Sequence, residues 1–250
     1  MKDVVLPARL KSEPLVDVVF EVRFASDIAA SSLLPGLIIS SFPDYKKFER
    51  LPAADIPEVV RTQEPTLAFA PLMRLSAGRF TAQVGDRMFA LSCQIPYIGW
   101  AAFKQEILKL SGLISSCQPI SQITRYALRY VNLLEIKGAE AQVAAFNWNV
   151  RLGNHEVVDQ ATLVRMEIRE GNHGHALQVA TGATTLSPAG AKTGAIVDID
   201  SYSDCQIDRS SFLSDLDVRL DRLHRENHII FFSTLTAATL NSLGPEYDKH

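Results

Sequence analysis

The chain has 250 residues, 25 Lys and Arg against 28 Asp and Glu, and a hydrophobic fraction of 47%. It is therefore too apolar and too weakly charged to be disordered. The near-neutral balance argues against a generally basic nucleic-acid-binding protein, although it leaves room for a local basic patch.

The three cysteines, Cys93, Cys117 and Cys205, lie far apart and form no CxxC pair. This spacing favours a reducing compartment over a disulfide framework or a cysteine-rich zinc site. Residues 1–15 mix charged side chains with prolines and lack the apolar stretch of a signal peptide. No apolar run is long enough to cross a membrane. We therefore expect a cytoplasmic protein without a membrane segment.

The first elements follow from alternation and proline spacing. Residues 16–24 alternate apolar and polar side chains, which predicts a half-buried strand. Residues 27–42 favour a short helix with Asp27 as its N-cap and a break at Pro35. The proline-rich segment 43–66 is predicted to be mostly loop.

A meander and a helix complete the first half of the chain. Strands are predicted at about 67–76, 79–84 and 87–93, because glycines between them supply turn chemistry. An apolar stripe at steps of three and four residues predicts a helix over about 98–116.

The second half begins with the longest predicted strand, 123–136. A short helix and three more strands should follow, with a turn at Pro188-Ala-Gly190, and a long helix should end before Gly244-Pro245. Their predicted bounds are 140–150 for the short helix, 161–169, 175–186 and 194–202 for the strands, and 211–242 for the last helix.

The order of elements is similar in the two halves, and short segments match. Phe20-Glu-Val-Arg-Phe24 resembles Tyr126-Ala-Leu-Arg-Tyr130, and Leu72-Met-Arg-Leu75 resembles Leu163-Val-Arg-Met166. We predict an α+β fold of two related β-α-β-β-β-α halves, 1–118 and 119–250. They would form one curved antiparallel sheet covered by helices on one face. The alternative is two unrelated α+β segments.

Period-two counting collects arginines on the sheet face opposite the apolar one. This predicted arginine-rich face suits planar recognition of carboxylate or phosphate. An equally simple interpretation is cross-strand pairing of Arg with Glu on a solvated face. The candidate binding residues of the arginine-rich face are Glu21, Arg23, Arg125, Arg129, Arg165, Glu167 and Arg169, and Arg74 and Arg79 are further candidates.

Catalytic motifs are weak in this sequence. His224 and His228 lie four residues apart on one helical face, but Arg225 stands where a zincin has its glutamate, so helix packing is the simpler role. His173 and His175 are predicted to lie in a hairpin turn. Alternation predicts that Asp198 and Asp200 share one sheet face as a carboxylate pair, but acidic strand ends are common and no constellation of nucleophile, base and orienting group accompanies them. We therefore predict no catalytic residues and no cofactor.

Several segments resemble a sporadically distributed prokaryotic protein family of about this length. They are Pro14-Leu-Val-Asp-Val-Val-Phe-Glu-Val-Arg-Phe24, Arg125-Tyr-Ala-Leu-Arg-Tyr-Val-Asn132, Leu216-Asp217 to His224, Phe232 to Thr236, and Pro245-Glu-Tyr247. None of these motifs is catalytic, and the resemblance implies no known activity. The family's patchy distribution is typical of mobile-element, toxin–antitoxin or anti-phage loci, and this implies an accessory protein that acts with a neighbour-encoded effector.

The leading hypothesis is a non-catalytic binding or regulatory protein. It would bind a protein partner or a small anionic ligand through the arginine-rich face, and a homodimer is compatible with the sequence. A nucleotide- or nucleic-acid-binding protein using the same face is the first alternative. A metal-dependent hydrolase or nuclease using Asp198 and Asp200, or His224 and His228, is the second.

Overall fold

The computed structural model describes residues 6–187 and 190–247. Its strands are β1 (Arg9–Leu10), β2 (Leu15–Ser26), β3 (Lys47–Arg50), β4 (Met73–Ala77), β5 (Phe80–Val84), β6 (Met88–Cys93), β7 (Ile120–Leu134), β8 (Arg151–Leu152), β9 (His155–Glu156), β10 (Leu163–Glu170), β11 (His173–Ser187), β12 (Gly190–Asp208) and β13 (Pro245–Glu246). Its α-helices are α1 (Leu34–Ser41), α2 (Glu58–Gln63), α3 (Trp100–Ser116), α4 (Ala139–Val143), α5 (Arg209–Ser214), α6 (Leu216–Thr234) and α7 (Ala237–Ser242).

A nine-stranded antiparallel sheet packed against helices dominates the fold. Its strand order is β10-β11-β12-β7-β2-β6-β5-β4-β3. Two small sheets pair β1 with β13 and β8 with β9. The predicted α+β class and antiparallel sheet are therefore confirmed. Over the described part of the chain, no helix is both long and apolar enough to span a membrane.

The chain divides into two compact units. Unit 1 consists of the described parts of 1–16, 129–201 and 224–250, and unit 2 consists of 17–128 and 202–223. The long strands β7 and β12 and helix α6 contribute residues to both units. Each unit is therefore assembled from segments that are distant in the sequence.

The core of unit 2 follows from two periodicities. The alternation in β2 buries Val18, Phe20, Val22 and Phe24 on one face of the strand. In α3 the steps of three and four residues bury one stripe, and this helix packs against α1 and α5. The buried residues of the stripe are Phe103, Ile107, Leu110 and Ile114.

The core of unit 1 combines strand residues with the end of α6. Buried apolar side chains from β7, β11 and β12 form one cluster with Phe146 and with Ile230 and Phe231 of α6. The strand residues are Leu134, Leu177, Val179, Ala195, Val197 and Ile199. Helix α4 contacts β11. Within the apolar end of α6, Ile230 and Phe231 are buried, whereas Ile229 and Phe232 are partly exposed.

Two predictions for the first half were wrong in detail. The helix predicted over 27–42 is a 3-10 turn at Ala30–Ser32 followed by α1, whose N-cap is Leu33 and not Asp27, because Pro35 occupies the first turn of α1. The segment 43–66, predicted to be loop, contains β3 and α2. The strand was missed because all four residues of β3 are exposed and present no apolar face.

In the second half, the single helix predicted over 211–242 is three helices. Asp208 caps α5 by accepting hydrogen bonds from the backbone of Ser210 and Ser211, and Thr236 caps α7 through Thr239. The cap at Thr236 starts a new helix where apolar periodicity alone shows no break, and α5 ends at Ser214 with Asp215 as its C-cap. The short helix predicted over 140–150 ends at Val143. Pro188 and Ala189 of the predicted turn lie outside the described residues.

Candidate functional site

The polar side of the sheet in unit 2 is defined by strand register. In antiparallel pairs, residues directly opposite each other share a face. Glu21 of β2 lies opposite Ala90 of β6, and Val19 lies opposite Ser92. Continuing outward through β5, β4 and β3, the same register places one set of polar residues on this side. This polar face consists of Glu21, Arg23, Lys47, Glu49, Arg74, Ser76, Thr81, Gln83 and Ser92.

The outer part of the polar face forms an open pocket of about 320 Å³. Every residue that lines it is polar: Lys47, Glu49, Arg74, Ser76, Thr81, Gln83, Ser92 and Gln94. We call it the polar pocket. The residues come from β3, β4, β5 and β6 and from Gln94 just after β6. A wall of hydroxyl, amide and charged groups suits a polar ligand better than an apolar one.

Hydrogen bonds hold part of this lining in place. The Arg74 Nη1 donates to Glu49 Oε2 at 3.0 Å across β3 and β4. The Ser76 and Thr81 hydroxyl oxygens lie 3.2 Å apart. In contrast, Lys47 forms no ion pair with any described residue. The polar pocket therefore contains one uncompensated cation next to a partly compensated arginine.

The predicted residues Glu21, Arg23 and Arg125 meet in unit 2. Arg23 Nε donates to Glu21 Oε1 at 2.7 Å, and Arg125 Nε lies 3.9 Å from the same oxygen. The guanidinium of Arg125 lies 4.0 Å from the centre of the Tyr202 ring. That of Arg23 lies 4.4 Å from the Phe69 ring centre. These arginines are thus held between a carboxylate and an aromatic ring.

The other predicted residues lie in unit 1. Arg129 makes two hydrogen bonds to Asp198, of 2.8 and 2.6 Å, in the bidentate geometry that suits Arg and carboxylate. Arg165 donates to Glu167 at 2.6 Å on β10, and Arg169 is exposed on the same strand. Asp198, considered above as half of a carboxylate pair, is therefore engaged by an arginine. The seven predicted residues fall into both units.

Sequence reasoning included Arg74 of the polar pocket but missed Lys47, Glu49 and the hydroxyl and amide residues. Lys47 and Glu49 were missed because their segment was predicted to be loop. The signal that would have found them is the alternation Lys-Phe-Glu-Arg over 47–50, since positions 47 and 49 share a face in a strand.

The histidine pair on α6 packs against an aromatic side chain. His224 Nδ1 lies 3.0 Å from the Tyr130 hydroxyl oxygen, and the rings of His224 and His228 are 4.0 Å apart. Burial lowers the pKa of His228 to about 4. Among the residues that the structure describes, no group of three His, Cys, Asp or Glu side chains could hold a metal ion. The geometry therefore favours the packing role.

The prediction that His173 and His175 lie in a turn was wrong, because β11 begins at His173. His173 Nδ1 lies 2.5 Å from Glu226 Oε2, and His175 Nδ1 lies 2.9 Å from Ser201 Oγ. Asn227 donates to the same Ser201 oxygen at 2.9 Å. The sequence alone does not reveal this network, because His175 and Ser201 are 26 residues apart and His173 and Glu226 are 53 residues apart.

This buried network has the residue types of a hydrolytic site but not its access. Ser201 and His175 have no exposed surface. The His175 Nε2 lies 3.7 Å from Glu226 Oε2, which is too long for a hydrogen bond. A nucleophile must reach its substrate, and these buried contacts instead link β11, β12 and α6 within unit 1.

The thiols are poor nucleophiles. Burial raises the pKa of Cys93, Cys117 and Cys205, which leaves them protonated near neutral pH. None of the three forms a disulfide.

Comparison of the chain with models of protein families and with curated proteins found no match.

Proposed function

We propose that this protein is a non-catalytic binding protein whose polar pocket in unit 2 holds a small anionic ligand. One observation supports the proposal most: Lys47 extends into an all-polar pocket without an ion-pair partner among the described residues. Around it lie the guanidinium of Arg74 and three hydroxyl groups, those of Ser76, Thr81 and Ser92. Together these groups can donate hydrogen bonds to a carboxylate or a phosphate group.

The neighbouring charges limit the size of the ligand. Glu49 already pairs with Arg74, and Glu21 pairs with Arg23. A long polyanion such as nucleic acid would meet these carboxylates as well as the cations. A ligand with one anionic group and a polar body suits the pocket better. Its volume of about 320 Å³ is at the small end of ligand pockets.

The resemblance to a sporadically distributed prokaryotic family supports the wider role. We propose a cytoplasmic accessory or regulatory protein that acts with a neighbour-encoded partner, and whose small ligand modulates that action. We also propose that the halves 1–118 and 119–250 are related and that their sheet is curved, with helices on one face. The matched segments around Phe20 and Tyr126 support this relationship.

The test is isothermal titration calorimetry of the full chain with inorganic phosphate, acetate and a nucleoside monophosphate at low ionic strength. We expect saturable binding of at least one of these anions. Lys47→Gln or Arg74→Gln should weaken it about tenfold to a hundredfold, because each removes a charge-assisted hydrogen bond worth about 1.5–3 kcal/mol.

Lys46→Gln is the matched control, since Lys46 is exposed beside Lys47 but does not line the polar pocket. Its affinity should equal that of the parent chain. The proposal is wrong if no anion binds saturably, or if Lys47→Gln and Lys46→Gln bind equally well. Salt-dependent binding of a single-stranded oligonucleotide, without binding of the small anions, would support the nucleic-acid alternative instead.

A further inference from the structure

Strand β10 is the terminal strand of the nine-stranded sheet, and no described strand pairs with its outer edge. Such an edge presents unpaired backbone groups to any second strand. The strand at the other end of the sheet, β3, is only four residues long and carries Lys47, Glu49 and Arg50. Short charged edges resist pairing. Strand β10 has eight residues and combines charged with apolar side chains, so it is less protected than the short, fully exposed β3.

The side chains of β10 alternate between apolar and charged. Val164, Met166 and Ile168 share one face, and Arg165, Glu167 and Arg169 share the other. Met166 is 51% exposed, which is costly for so large an apolar side chain.

An apolar groove opens beside the apolar face of β10. Its volume is about 480 Å³, and Val164 and Met166 line it together with Leu177 and Val179 of β11. Phe146 and Trp148 contribute aromatic surface to the same groove. A strand added at the edge of β10 would place alternate side chains over this groove.

The backbone pattern determines which residues of β10 face outward. Thr181 N donates to Thr162 O at 2.9 Å, and Thr162 and Thr181 continue the register in which Val164 lies opposite Val179. In an antiparallel ladder, hydrogen-bonded pairs alternate along the strand. The even-numbered residues of β10 therefore bond to β11, and the odd-numbered ones direct their N–H and C=O groups outward.

We propose that β10 pairs in antiparallel fashion with β10 of a second copy of this chain, with Met166 at the two-fold axis. In this register Arg165 of one copy lies opposite Glu167 of the other, and the reverse pair forms by symmetry. Val164 lies opposite Ile168 of the second copy on the apolar face. The central pairs are thus complementary on both faces, whereas Leu163 lies opposite Arg169 of the second copy at each end of the ladder. The outward-facing residues Arg165 and Glu167 form the hydrogen-bonded pairs that the ladder requires.

Charge selects this register over its neighbours. A shift that places Glu167 on the axis sets two carboxylates opposite each other and sets Arg165 opposite Arg169. A shift that places Arg165 on the axis sets two guanidinium groups opposite each other. Like charges directly opposite destabilise a strand pair. Within one chain Arg165 already bonds Glu167 at 2.6 Å, so dimerisation exchanges this contact for the equivalent one between copies.

The first experiment is sedimentation velocity of the full chain over a wide range of concentration. We expect a concentration-dependent dimer. Met166→Lys should weaken it at least about tenfold, because it places two ammonium groups together at the axis. Val59→Lys is the matched control: Val59 is an exposed apolar residue on α2 and lies outside β10. It should dimerise like the parent chain.

The second experiment tests the register. Glu167→Arg and Arg165→Glu should each weaken the dimer, and the double variant should restore it because the opposite charges meet again. Met166→Cys should form an intermolecular disulfide on mild oxidation, since opposed residues at a non-hydrogen-bonded position have Cα atoms about 4.5 Å apart. The parent chain, treated in the same way, shows the contribution of its own cysteines.

A chain that stays monomeric at every concentration overturns the proposal. A dimer that Met166→Lys leaves unchanged also overturns it, because another surface is then used. Single charge reversals without effect, or a double variant that remains weak, exclude the proposed register. Binding of an extended peptide to β10 by a chain that remains monomeric would assign the edge to a different partner.

Discussion

The imidazole of His228 is packed among aromatic rings. It lies 5.9 Å from the ring of Tyr130, 5.8 Å from that of Phe232 and 4.0 Å from that of His224. Burial disfavours its charged form and lowers its pKa from 6.5 to about 4. The folded chain therefore binds fewer protons than the unfolded chain between these two pH values.

This linkage predicts an acid-sensitive stability. The contribution of His228 is complete above about pH 6.5 and is lost as the pH falls towards 4, with a total on the order of 3 kcal/mol. Urea unfolding at a series of pH values measures it. His228→Phe should flatten this dependence, and His155→Gln, at an exposed position in β9, should not. Equal pH dependence in the parent and His228→Phe would contradict the assignment.

Residue-scale patterns predicted which side of a strand each arginine occupies but not its partner. Alternation placed Arg129 opposite the apolar face, and the structure adds the two hydrogen bonds to Asp198. These two residues are separated by 69 positions in the sequence. Period-two counting acts within one strand, so it contains no information about which acid from another strand will lie beside it.

At the scale of elements, glycine positions show where strands approach closely. A Cβ atom at Gly194 of β12 would overlap the carbonyl oxygen of Leu134 in β7 and would lie 2.9 Å from its carbonyl carbon. Gly112 differs, because it is exposed within α3 and a Cβ there would meet nothing. The two glycines should therefore respond to alanine in opposite directions.

We expect Gly194→Ala to destabilise the fold by about 2 kcal/mol or more, since backbone must move to make room. Gly112→Ala should stabilise it by about 0.5–1 kcal/mol through higher helix propensity. Chemical denaturation of both variants checks the pair. A Gly194→Ala chain as stable as the parent would show that β7 and β12 do not approach so closely.

Elements with a regular apolar period were predictable. The half-buried strand β2 and the amphipathic helix α3 were both predicted, and their bounds differ from the prediction by a few residues. Strand β3 was not predicted, because its residues are all exposed. The break between α6 and α7 was also not predicted, because it depends on a cap at Thr236. Apolar periodicity indicates burial on one face, so it does not predict an element without a buried face or a helix boundary set by a cap.

At the scale of the whole molecule, the two units are built from interleaved segments. Unit 2 takes residues 202–223 from the end of the chain, including the fully buried Phe212 of α5. The Phe212 ring lies 5.4 Å from that of Tyr126 in β7. Neither residue belongs to the predicted first half, 1–118.

The fragment 1–118 should therefore not fold alone. Without β7, one edge of β2 in the fragment is unpaired. Without α5, the surface of α3 that packs against α5 is exposed to solvent. We expect no cooperative thermal unfolding by circular dichroism, whereas the full chain should unfold cooperatively. A well-dispersed NMR spectrum of the fragment would contradict this expectation and would support an autonomous first half.

The sequence by itself determined the α+β class, most strands and the polar side of β2, β7 and β10, because side-chain alternation and helical stripes are local properties of the chain. Only the tertiary structure decided how those strands are ordered and aligned. Register brings Lys47, Arg74 and Ser92 from separate strands into one pocket, and strand order leaves β10 at an edge. Pairing between strands distant in the chain depends on the packing of the whole core, and no local pattern specifies it.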